Sequence, residues 1–247
     1  MANDSEARRS RRERLTRERI LTAALGLVDR EGLSALSMRR LAAELGVEAM
    51  ALYRYAPGKD ALLDGLVEAL FLELRDTLDG EVTDGATWRE QVHRMARETY
   101  RVSLRHPHVV PLIATRMLAV PLARRPLAVL WEYERTLEWL EQAGLDEADA
   151  VTAHRAISSW VLGYVFVELR AMVDNPDEPD PAFRLGLHRM SAQELPRLRK
   201  AAPLLAVHAG EAALTEGLDA LLGRFVPQRA GAPRTSPSAS PPRPPSR

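Results

Sequence analysis

The chain has 247 residues, 46 % hydrophobic and 28 % charged, enough to bury a real core in one large domain or in a small and a larger one. With no cysteine it has no disulfide, thiolate metal site or cysteine nucleophile. Its 34 basic and 34 acidic residues cancel, so whatever electrostatic preference it has must come from where the charges sit.

They sit unevenly. Arg8, Arg9, Arg11, Arg12, Arg14, Arg17 and Arg19 face only Glu13 and Glu18 over one short stretch, a basic end on a neutral body. Such asymmetry suits a face that meets phosphate, although a basic arm without a partner has the same composition. Residues 1–14 form this arm, expected to be disordered. Nothing in it reads as a signal peptide, and no apolar run is long enough to span a membrane, so the expected compartment is the cytoplasm.

From there the periodicity is helical throughout, and the fold class expected is all-α. A first helix is predicted over about Thr16–Glu31, with Ile20, Ala24, Leu27 and Val28 as its inner stripe and Gly32 as its stop. Ser37 caps a short helix, Met38–Leu45, closed by Gly46, and a third helix covers about Glu48–Tyr55. Pro57-Gly58 breaks the pattern before a long helix, about Lys59–Leu78. Further helices are expected at about Ala86–Arg105, Val109–Leu118, Pro126–Gln142 and Glu147–Val173. The segment Asp174–Pro181, DNPDEPDP, reads as a loop. Weaker helical signals follow at Ala182–Met190 and Ser191–Lys200, then a strong stripe of Leu214, Leu218, Leu221, Leu222 and Phe225 in a last helix, about Gly210–Val226. Residues 227–247 are Pro-, Ser- and Arg-rich and are expected to be disordered.

The stretch LSMRRLAAELGVEAMALYRYAPGKDALL, Leu36–Leu63, carries the functional signal. Two short helices joined at a glycine turn must cross steeply, which suits small Ala42 and a mini-core of Leu41, Leu45, Val47 and Leu52. The remaining face of the third helix presents Ala49, Met50 and Tyr53, as a helix laid in a DNA major groove requires. Arg39, near the start of the preceding helix, can reach a guanine edge or a phosphate. Lys59 stands at the N-terminus of the long helix, where free backbone N–H groups favour an anion. Spacing alone also fits an ordinary three-helix packing unit.

Leu15–Leu74 resembles the DNA-binding domain of the TetR family of bacterial repressors. The motifs are ILTAALGLVDREG, LSMRRLAAELGV, ALYRY and K-x-x-LL, in that order. From about Trp88 to Val226 the chain is more weakly similar to the C-terminal domain of the tetracycline-repressor branch, in helix lengths, in EQAGLDEADA and in EGLDALLGRF. The resemblance implies a helix-turn-helix domain over residues 15–75 and a helical ligand-binding and dimerisation domain over 76–226. It further implies a homodimer that binds a palindromic operator in double-stranded DNA and is released by a small-molecule effector. The family pattern places Ser37, Arg39, Arg40, Ala49, Met50, Tyr53, Tyr55 and Lys59 at the DNA. Ala49 and Met50 offer only apolar contact, so no operator sequence carries over.

For the effector, Arg75, Thr99, Tyr100, Arg116, Trp131 and Trp160 are the candidate lining residues, although aromatics at helical spacing are more often core. Arg75, Met95 and Ile113 stand near the places where the tetracycline branch holds its drug–magnesium chelate, so that chelate is not expected. His106-Pro-His108 reads as a turn rather than a metal site. Antiparallel pairing of the long helix, Glu147–Val173, and the last one is expected to make a four-helix bundle across a dimer axis, with small Ser158, Ser159 and Gly163 allowing close approach; the alternative is that these faces pack only within one chain. No catalytic residue, cofactor or metal is expected: the chain has no G-x-S-x-G elbow, phosphate-binding glycine loop or H-E-x-x-H. The rival reading is a helical ligand-binding protein with no DNA contact.

Overall fold

A computed structural model describes residues 15–80, 85–117, 120–174, 193–205 and 209–225, with isolated positions from 180 to 191. The arm at 1–14, the tail at 227–247, most of the Asp174–Pro181 loop and most of the Ala182–Met190 segment lie outside the described residues. Among the described residues there are ten α-helices and no strand.

Helix α1, Arg17–Glu31, begins at Thr16, whose hydroxyl accepts from the Arg19 N–H. It buries Ile20, Leu21, Ala24, Leu27 and Val28. Helix α2, Met38–Leu45, is capped by Ser37 and ends at Gly46, which takes the left-handed conformation (φ 66°, ψ 34°) that turns the chain toward α3. Helix α3 is Ala49–Leu52, shorter than its expected span. The turn Tyr53–Tyr55 tightens onto the Leu52 carbonyl, because Pro57 disfavours helical backbone at the residue before it. Helix α4, Lys59–Gly80, then runs unbroken from this unit into the body of the protein.

The body is built from α5 (Trp88–Arg105), α6 (Val110–Leu112), α7 (Leu127–Gln142), α8 (Glu147–Asp174), α9 (Pro196–Leu205) and α10 (Gly210–Phe225). Thr87 and Glu90 close a reciprocal capping box at the start of α5. The helix expected over Val109–Leu118 is one α-turn followed by a wider π-turn, Ile113–Met117. The signal at Ser191–Lys200 resolves into α9, displaced later so that Pro196 occupies its first turn, where a missing N–H costs nothing.

One core runs through both parts. Leu27, Leu36, Leu41 and Leu52 lock the first three helices onto α4 at Leu62 and Leu66, and Leu70, Leu74, Ile113, Leu140 and Ile157 continue it into the body. Two glycines permit close helix crossings. A Cβ on Gly65 would overlap the Leu21 side chain, and a Cβ on Gly217 would overlap the Trp160 ring. No described helix is long and apolar enough to cross a membrane.

Candidate functional site

The first site is a surface of α2, α3 and the start of α4. Ser37 is exposed and commits an oxygen lone pair to the Arg40 N–H at 3.1 Å. Arg39 is exposed and has no ion-pair or hydrogen-bond partner among the described residues. Met50, 75 % exposed, and Tyr53, 44 % exposed, are large apolar groups held in water. Single exposed apolar residues are ordinary, but two on a four-residue helix and its turn, beside an unpaired arginine, form a surface with no internal use. Lys59 is exposed at the N-terminus of α4 and is likewise unpaired.

Three expected members sit differently. Arg40 is engaged within the protein: it donates to Glu31 at 2.6 Å and lies 3.7 Å from Glu44. Hydrogen bonding to Arg40 holds the Glu31 carboxyl below its usual range. Ala49 and Tyr55 are only half-exposed and pack against the core, so they support the surface rather than project from it. Helical spacing predicts which way a residue faces; it does not reveal that Glu31 of another helix waits opposite Arg40.

The second site lies between α4, α5, α7 and α8. An inner cavity of about 50 Å³ is walled by apolar side chains such as Leu70, Phe71, Met95 and Ile113, with Thr99, Glu132, Thr136, His154 and Ser158 as its polar members. Tyr133, His154, Ser158 and Leu162 also border an outer chamber of about 710 Å³, which Arg125 and Arg155 line. Apolar surroundings push the Glu132 carboxyl up to about 7, against the pull of the Arg135 charge. Burial, helped by the Arg155 charge, pushes His154 below the ordinary histidine value and favours its neutral form.

Of the six expected lining residues only Thr99 reaches this cavity. Arg75 stacks over the Trp131 ring at 4.6 Å and pairs with Asp76, in an outer groove. Tyr100 is buried edge-on to Tyr164 at 6.0 Å. Trp160 donates to the Leu214 carbonyl at 3.0 Å and fixes the α8–α10 crossing. Arg116 bridges to Asp60 at 2.5 Å and Asp64 at 3.5 Å, a strap between the body and α4. Met95 and Ile113 do line the cavity, as apolar wall. Besides Thr99, the cavity's polar members Glu132, Thr136 and His154 are not among the expected lining residues, although Glu132 and Thr136 stand four apart on a face whose neighbours Ala128, Val129 and Leu140 are buried. Acids within an apolar stripe were the available signal.

The His106-Pro107-His108 segment is a turn whose first imidazole bridges the two parts of the molecule. Its Nδ1 meets Asp29 on α1 and its Nε2 meets Glu73 on α4, each at 2.8 Å. No group of three metal-ligating side chains occurs among the described residues.

Residues 20–66 match the model of the bacterial regulatory proteins, tetR family, and residues 82–223 match the tetracyclin repressor-like C-terminal domain. A transcriptional repressor, DrrR1, from Streptomyces coeruleorubidus is 37 % identical over 60 % of this chain, and the chain spans about half, 52 %, of its length. The class D tetracycline repressor protein from Escherichia coli is 28 % identical over 87 % of this chain and 91 % of its own. Among solved structures, the Streptomyces coelicolor TetR family protein ActR in complex with actinorhodin aligns at 29 % identity and a TM-score of 0.66. That alignment covers 86 % of this chain and 96 % of ActR.

Proposed function

This chain belongs to the TetR family of bacterial regulators, and from that premise we propose that it is an effector-responsive transcriptional repressor acting in the cytoplasm. As a homodimer it sets one α3 into each half of a palindromic operator, and occupation of the cavity in the body releases it. The observation that carries this reading is the joint exposure of Arg39, Met50, Tyr53 and Lys59 across α2, α3 with its turn and the start of α4, without ion-pair or hydrogen-bond partners among the described residues. Each has a use on a duplex. Arg39 suits a guanine edge or phosphate, Met50 a thymine methyl, Tyr53 and Lys59 the backbone.

Release requires the two shapes of the protein to bind the effector unequally. The path is short, because α4 carries Lys59 at one end and the cavity residues Leu70, Phe71 and Leu74 further along. Ser158, Ser159 and Gly163 line the outer chamber on one face of α8, the face we assign to the approach of the second copy.

Fluorescence anisotropy with a labelled inverted repeat taken from upstream of the gene tests the reading. At about 150 mM salt a specific regulator retains that duplex in preference to a scrambled one. Arg39→Ala and Tyr53→Ala each weaken binding at least tenfold with the dimer intact, or the assignment of this surface is wrong. Lys59→Ala weakens all duplexes alike and lowers the salt slope by roughly one.

A further inference from the structure

We infer that the inner cavity selects a compact apolar molecule bearing a protonated amine, seated with its N–H groups on Glu132, Thr99 and Thr136. The term effector rests on the regulator reading above; the binding does not, and it is measurable without DNA.

The polar atoms of the cavity are nearly all left as acceptors. Thr99 donates its hydroxyl proton to the Met95 carbonyl at 2.8 Å, and Thr136 donates to the Glu132 carbonyl at 2.8 Å. Each hydroxyl oxygen keeps lone pairs for a ligand. Glu132 adds a carboxyl, 3.4 Å from the Thr136 hydroxyl. His154 is 6 % exposed, and its Nδ1 is buried with no hydrogen-bond partner among the described residues; its Nε2 lies 3.5 Å from the Ser158 hydroxyl. A neutral imidazole that donates there leaves Nδ1 as one more acceptor.

Charge points the same way. No lysine or arginine lines the inner cavity among the described residues. Arg135, one turn from Glu132, is held by Asp79 at 2.6 Å, and Arg125 donates to the Tyr133 hydroxyl in the outer chamber. An ammonium entering the cavity therefore meets an acid with no cation committed to it among the described residues, acceptor oxygens, and an apolar wall that includes Phe71. An anion meets that acid with no cation to offset it, and a pure hydrocarbon leaves the polar atoms unsatisfied. The high carboxyl value of Glu132 agrees with an acid whose charge awaits a partner.

The test uses three probes of four or five heavy atoms, sized to the cavity, on the full-length protein: propylamine, 1-propanol and propionate, titrated by isothermal calorimetry at pH 7.5. The expected order is amine over alcohol by at least tenfold, with the acid weakest. Glu132→Gln narrows the amine-over-alcohol ratio to less than threefold, whereas Glu134→Gln, an exposed acid on the same helix, keeps it. Alcohol or acid binding as tightly as amine, no amine binding at millimolar concentration, or a ratio that survives Glu132→Gln overturns the inference. Circular dichroism establishes that the variants fold, and the wild-type ratio needs no variant. Loss of operator binding with this preference intact would count against the regulator reading alone.

Discussion

Glu132 lies in an apolar stripe, and that position has a measurable cost. Its folded-state carboxyl titrates at about 7, above the ordinary range, because the surroundings disfavour the charged form. The associated stability is complete in acid, declines once the unfolded chain begins to ionise near the usual carboxyl value, and is gone as pH rises through about 7. Glu132→Gln is therefore expected to be more stable than the parent at pH 8, by as much as ~3 kcal/mol, with the gap closing toward pH 5. Urea denaturation across that range measures it; a pH-independent gap is the contrary outcome. At the other end, Arg40→Ala is expected to reduce operator affinity less than Arg39→Ala, since Glu31 and Glu44 already occupy the Arg40 guanidinium. Met50 and Tyr53 were legible in the sequence because local periodicity alone turns them outward. The partners of Arg40, Arg75 and Arg116 were not, because each depends on a tertiary or adjacent acid that spacing does not rank.

At the level of elements, the helices with explicit signals came out of the sequence nearly residue for residue. Ser37 and Gly46 bracket α2, and Thr16 opens α1. Where competing local effects act, the pattern ran long: α3 yields to the turn before Pro57, and the segment after Val109 widens into a π-turn. Of the α8–α10 crossing only the α10 stripe was legible in the sequence; the closeness of the crossing was not. It depends on Gly217 giving room to Trp160, whose indole N–H is anchored on the Leu214 carbonyl, while Tyr164 donates to the Gly210 carbonyl at 2.6 Å. Gly217→Ala gains helix propensity but forces the indole aside, and overpacking of this kind costs about 1–3 kcal/mol. Thermal unfolding should show a lower midpoint, with Gly223→Ala, which meets open space, as the neutral control.

Across the whole molecule, the DNA-facing unit and the body are joined by polar straps of unequal weight. His106 is half-buried between Asp29 and Glu73, and the second oxygen of Asp29 is already buried without a partner among the described residues. Removing the imidazole leaves two acids facing each other with nothing between them, so His106→Ala is expected to cost about 1–3 kcal/mol. Arg116 holds Asp60 and Asp64, both largely exposed, and Arg116→Gln should cost less than about 1 kcal/mol. Equilibrium urea unfolding of the two variants ranks them; equal losses would mean that the His106 bridge is no stronger than a surface pair.

One further property follows from α4 being a single 22-residue helix without proline. From Leu70 to Lys59 it spans about 17 Å at the usual rise per residue. If it pivots at the cavity wall, a tilt of only ~5° swings its tip by about 1.5 Å, and twofold symmetry would double the change in pitch between paired tips. Since a groove repeat tolerates little mismatch, a guest smaller than a nucleotide could dislodge the protein from its operator without unfolding a single turn: the rod trades force for reach.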